Sequence, residues 1–328
     1  MVEESSIPVS SPLASSTLSQ SLVSNIILLF SIADLTTLTF ISSILLLSFF
    51  SIFFILHFRL KSHQSQHLKD FNSLYTVRIL FVSFISFWAI NDILRLPYLI
   101  PPYFLSFLYK FPSLSQQVNL CKAHIVLSQG FFQPGFLIIL LFLVNISAKK
   151  KIKKNIFCRA ILVLFSVCIP LLALQIFFIF FSTRLINYPE ILFRGFQLNG
   201  VDGNIGKVIC TYPLMSTIVF AIFGIIYMIL FTSACWKVCS IVINKGLRVR
   251  IYLLVITVLF SVSAQILILT ASALWKSHEL PFDWLGFVVF LSGLLCAVVG
   301  EGILVIKPIA DALAVDSQFY RCDNDYRL

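Results

Sequence analysis

Two charged side chains, Asp92 and Arg95, stand three residues apart inside the apolar stretch "FWAINDILRLPYLI" (87–100). On a helix that spacing places both on one face. A lone charge at the centre of a bilayer costs roughly 3 kcal/mol on insertion scales, and pairing or a hydrated cavity lowers that cost. The pair is therefore expected to face the interior of a helix bundle, toward each other or toward a neighbouring helix. In "NLCKAHIVLSQGFFQPGF" (119–136), Gln129 and Gln133 lie seven and eleven residues beyond Lys122, near one helical stripe. A polar stripe opposite a charged patch describes a hydrated ligand pocket made of Asp92, Arg95, Lys122, Gln129 and Gln133, or else a buried network that fixes helix register. His124 falls about 200° from Lys122 on a helical wheel and is expected to face elsewhere.

The other polar residues suit simpler tasks. Gln175 and Gln265 read as interhelical glue. Glu301, between Gly300 and Gly302, is the deep acid of the last apolar run. It would bind a proton or a cation, or pair with Arg250 or Lys245. His63 and His67 have i,i+4 spacing without a third ligand, so no metal is expected. Nucleotide-binding loops, a nucleophile elbow and HExxH are all absent, so neither catalysis nor a cofactor has support.

These residues need elements to position them, and composition says which kind. The chain has 328 residues, 59% hydrophobic and 12% charged, where a soluble domain carries about 25% charge. Lipid must cover it, and the expected class is an all-α membrane protein. The net charge of +10 has no polar domain to carry it, which argues against a nucleic-acid partner. Seven runs are long enough to cross a bilayer: near 36–57, 77–100, 121–146, 156–181, 211–240, 250–274 and 283–306. The organisation is a segment 1–35, a seven-transmembrane helical bundle 36–306 and a tail 307–328. Pro134, Pro170 and Pro213 are expected to kink the third, fourth and fifth runs or simply to pack there.

Lys and Arg concentrate in cytoplasmic connections. Arg59, Lys61 and Lys69, the run "KKKIKK" (Lys149, Lys150, Lys151, Lys153, Lys154), Lys245, Arg248 and Arg250, then Lys307, Arg321 and Arg327 fall on one side. Lys110, Arg184, Arg194, Lys207 and Lys276 fall on the other. The N-terminus is thus expected outside and the C-terminus cytoplasmic. Of the eight cysteines, Cys121 and Cys210 then lie at the oxidising surface, where they form a disulfide over the bundle or remain two half-buried thiols.

"FWAINDILRLPYL", "NLCKAHIVLSQGFFQPGFLIILLFL", "CTYPLMSTIVFAIFG" and "VINKGLRVRIYLLV" resemble the plant seven-span proteins catalogued as candidate G-protein-coupled receptors, over about Leu35 to Ala314. Trp88, Asp92, Arg95, Cys121, Pro134, Cys210, Tyr212, Pro213, Asn244, Lys245, Arg250 and Tyr252 carry the likeness. The resemblance implies a receptor for an unknown ligand in the plasma membrane. Its cytoplasmic surface, Lys149, Lys150, Lys151, Lys153, Lys154, Lys245, Arg248 and Arg250, would meet a heterotrimeric G-protein α subunit. The familiar animal-receptor marks are missing: no Asp-Arg-Tyr ends the third run, the sixth has no Pro, and the seventh has no Asn-Pro-x-x-Tyr. The alternatives are a multi-pass transporter or channel using Asp92, Arg95 and Glu301, and a membrane scaffold whose basic loops recruit a partner.

Overall fold

The computed structural model describes residues 13–64, 74–95, 114–147, 156–181, 192, 196–199, 207–274 and 282–314. Helix α1 (Leu13–Gln64) is 52 residues long. No Gly or Pro interrupts it, so nothing breaks the hydrogen-bond ladder over about 78 Å, more than twice the thickness of bilayer hydrocarbon. The sequence reading sets 1–35 apart as a separate segment, whereas the helix enters the first span without a break. Helix α2 (Tyr75–Ile93) closes earlier than expected. Leu94 and Arg95 turn back onto the carbonyls of Asn91 and Asp92, at 3.1 and 3.2 Å.

The third crossing is built from α3 (Leu114–Leu127), a π-turn (Ser128–Phe132) and α4 (Gln133–Ser147). Then come α5 (Ile156–Ile176), a second π-turn (Phe177–Phe181), and a hairpin of β1 (Phe196–Asn199) with β2 (Lys207–Cys210). The hairpin is antiparallel, with Phe196 opposite Cys210 and Asn199 opposite Lys207. Helices α6 (Leu214–Ile241), α7 (Lys245–Leu274) and α8 (Phe282–Glu301) follow, and a third π-turn (Gly302–Ile306) leads into helix ending at Ala314.

Seven of these helical stretches are long and apolar enough to cross a membrane: Asp34–Leu60, Tyr75–Ile93, Ser115–Ile146, Ile156–Phe181, Leu214–Ile241, Lys245–Ala273 and Trp284–Ala314. The bundle therefore extends past 306, and the sixth span begins at Lys245. The third span is the axis, 72% buried in its most apolar window, against 17% for the fourth. Its Phe136 meets Trp88 of the second span, which stacks on Phe290 of the seventh at 5.5 Å between ring centroids. Phe49, Phe53, Ile256, Phe260 and Leu267 point outward, the side chains hydrocarbon should touch.

Two of the π-turns have a local cause. "SQGFF" and "GILVI" each end two residues before a proline, Pro134 and Pro308. Proline supplies no N–H and its ring collides with the carbonyl four residues back. Widening the preceding turn relieves that collision: Gln133 N–H donates to Ser128 O, and Lys307 N–H to Gly302 O, each five residues back.

Candidate functional site

The first π-turn decides which side chains share a face. An α-turn carries His124 onto Ser128, and the widened turn then carries Ser128 onto Gln133. Lys122 and Gln129, seven apart, look the other way, toward the fourth and fifth spans. The Lys122 ammonium lies 5.7 Å from the Phe180 ring centroid, and Gln129 meets Ser216, which also meets Gln175. The expected pocket is thus divided: Asp92, Arg95 and Gln133 come together, whereas Lys122 and Gln129 stand apart from them. His124, expected to face elsewhere, joins the acid.

Asp92 and His124 are 4% and 0% exposed. His124 Nε2 lies 3.8 Å from Asp92 Oδ1, and both Nε2 and Asp92 Oδ2 lack a hydrogen-bond partner. On the far side of the ring, Nδ1 is 3.0 Å from Asn91 O and 3.1 Å from Asn91 Nδ2. A carbonyl only accepts and an amide nitrogen only donates, so the imidazole fits Asn91 in either tautomer. When Nδ1–H donates to Asn91 O, Nε2 can take a proton from Asp92. When Nδ1 accepts from the amide, Nε2–H points at an ionised Asp92. The first arrangement holds one proton more and leaves the pair neutral, whereas the second leaves it with one negative charge.

Arg95 gathers the ends of several spans. Its Nη1–H donates to Gly286 O at 2.7 Å, reaching the seventh span. Tyr212, at the foot of the fifth span, lines the same cavity as Arg95, and Arg95 lies in the fields of Asp92 and of Asp34 on the first. Burial pulls the guanidinium down, and the Tyr212 oxygen with Asp92 and Asp34 outweighs it, so Arg95 is held above its ordinary range and stays charged. Burial pushes the Tyr212 phenol up, against the pull of Arg95, so it stays neutral. A Cβ at Gly286 would sit 2.7 Å from Arg95 Nη1, so a larger residue there would displace the guanidinium.

Tyr212 owes its place to a covalent tie. Cys121 at the start of the third span and Cys210 at the end of β2 form a disulfide with a Cα–Cα distance of 5.4 Å, and Tyr212 follows two residues later. Below it, Gln133 Nε2 donates to Gln265 Oε1 of the sixth span. Asp92, Arg95, Ser128, Gln133, Tyr212 and Gln265, with Trp88 and Phe290, enclose a cavity of about 10 Å3. That is room for one water and not for an organic ligand. A larger recess of about 330 Å3 lies among Ile138, Leu171, Val219, Phe223 and Ile226, where only hydrocarbon would be at home.

The companion network obeys donor arithmetic. Ser216 Oγ is 2.5 Å from both Gln129 Oε1 and Gln175 Oε1, and Gln175 Nε2 donates to Ser216 O at 3.1 Å. A hydroxyl has one hydrogen, so it donates to Gln175 and accepts from Gln129 turned to present its amide, which also uses the otherwise idle Gln129 Nε2. Gln175 and Gln265 are interhelical glue, as their sequence positions suggest.

At the opposite end, Lys245 and Arg248 are exposed and Arg248 Nη2 donates to Val242 O at 2.9 Å. Arg250 pairs with Asp311 at 2.6 Å. The expectation that Glu301 pairs with Arg250 or Lys245 is therefore corrected: Glu301 faces Ser48 of the first span instead. Lys149, Lys150, Lys151, Lys153 and Lys154 lie outside the described residues, as do His67 and the His63 side chain. Among the described residues, no group of three or more His, Cys, Asp or Glu could hold a metal ion.

Seven membrane-length helices, a disulfide-tied hairpin and a charged knot beneath it define a multi-pass helical membrane protein. None of the curated proteins compared matches the chain. Residues 25–321 match the family described as uncharacterised conserved protein UCP031277, and the chain belongs to that family.

Proposed function

We propose that this protein is a plasma-membrane receptor-like protein, N-terminus outside, in which an extracellular ligand acts on the Arg95 knot and changes the packing of the cytoplasmic ends. The observation that carries this reading is that one guanidinium donates to Gly286 O of the seventh span while lining one cavity with the disulfide-anchored Tyr212, in the fields of Asp92 and Asp34. A group so placed senses anything bound at the hairpin end. With a cavity the size of a water, binding must open the knot, so the ligand favours a second packing over this one; equal affinity for both would shift nothing. The basic residues Lys245 and Arg248, with the 149–154 run, supply a surface for an acidic cytosolic partner, a heterotrimeric G-protein α subunit by resemblance.

The test is nucleotide exchange on purified heterotrimeric G protein by the full chain in nanodiscs. Arg95→Gln, which unties the knot without ligand, is expected to raise basal exchange several-fold over the parent. No exchange with either form, in protein that remains folded, rejects the receptor reading. A carrier is the second reading, favoured by Asp92 Oδ2 and Glu301 Oε1, two buried carboxylate oxygens without partners in different halves of the bundle. Proton-driven uptake into liposomes, abolished by Glu301→Gln, would establish it.

A further inference from the structure

Glu301 is 0% exposed, and its Oε1 has no hydrogen-bond partner. Ser48 Oγ, itself buried, is 3.5 Å from Glu301 Oε2. A hydroxyl that truly solvated a carboxylate would approach to about 2.6 Å. Ser51, one turn further along the first span, also lies within reach of the carboxylate, yet its buried Oγ has no hydrogen bond of good geometry. Between the first and seventh spans one long hydrogen bond thus joins Ser48 to the carboxylate, while Glu301 Oε1 and Ser51 Oγ stay unpartnered beside it.

Cationic side chains do not fill the gap. Among the described residues no ion pair reaches Glu301: Arg250 is engaged by Asp311, and Arg78, buried on the second span one turn from Phe81, forms none. The backbone is unusual at the same point. The widened turn begins at Gly302, where a Cβ would meet nothing within 4 Å, so there is open space at the Cα next to Glu301.

We propose that Glu301, Ser48 and Ser51 form a binding site for a small monovalent cation, sodium. All the donors are hard oxygens, which disfavours thiophilic and imidazole-seeking metals. A single carboxylate offers one negative charge, whereas calcium sites use several carboxylates and magnesium keeps its waters. The ion neutralises the carboxylate and draws both hydroxyls inward, pinning the first span to the seventh. The site is remote from the Arg95 knot and does not depend on the receptor reading.

The experiment measures thermal unfolding of the full-length protein in nanodiscs, in sodium chloride and in choline chloride of equal ionic strength. Sodium at about ten times its dissociation constant should raise the Tm of the parent by about 3 °C. Glu301→Gln should lose that rise, and Ser51→Ala should require several-fold more sodium for the same rise. Should Glu301→Gln fail to fold, the Ser51→Ala titration decides alone. A Tm that responds equally to the two salts, or to acid without responding to sodium, overturns the proposal.

Discussion

At the scale of single residues, the buried amides and charges are worth most in pairs. Gln133 and Gln265 satisfy each other between the third and sixth spans. Replacing one with Leu leaves the other amide unpaired at a cost of about 1–3 kcal/mol, while replacing both should be close to neutral. A double-mutant cycle read by thermal unfolding in detergent checks this, and additive losses would contradict it. Arg95 and Gly286 should show the same coupling through a different cause. Arg95→Gln removes the bond to Gly286 O and the cation whose field reaches Asp92, at about 1–3 kcal/mol. Gly286→Ala should cost much of that by displacing the guanidinium, and the double variant should be little worse than Arg95→Gln alone. Asp92 and Arg95 were legible in the sequence because charge in an apolar run is conspicuous. Asn91, His124 and Asp34 were not, since each gains meaning only from a partner on another helix.

At the scale of elements, the seven crossings were legible because length and hydropathy suffice to find them. The facing of the third was not. A wheel of constant pitch joins Lys122, Gln129 and Gln133, and it fails because one extra residue enters the turn before Pro134. The signal was present as a proline followed by glycine after a run of polar and aromatic residues, but proline predicts a disturbance without specifying a kink or a wider turn. Pro134→Ala removes the reason for the π-turn. With cysteines at 133 and 265, an oxidant should cross-link the parent readily, and the Pro134→Ala version should link poorly because Gln133 has turned by about 100°. Equal cross-linking in both would show that the π-turn is held by something other than the proline.

At the scale of the whole molecule, sidedness rests on the distribution of Lys and Arg, and one loop makes it measurable. Ile243, between the fifth and sixth spans, is 93% exposed. In a background lacking the exposed Cys158, an Ile243→Cys protein should react with a membrane-impermeant maleimide only after cells are opened. Labelling of intact cells would invert the whole arrangement, hairpin and Arg95 knot included. The hairpin itself was only partly legible: cysteine count and compartment supplied the bridge from Cys121 to Cys210. The pairing of Phe196 with Cys210 depends on strand register, which a glycine-bearing loop does not announce.

The widened turn at Ser128–Phe132 also bears on how relatives of this chain are compared. A chain one residue shorter between His124 and Gln133 would keep every crossing, yet would present a different side chain to Asp92 and Arg95. A single-position gap there marks an altered site, and aligners that smooth it away would discard the most informative difference between two such chains.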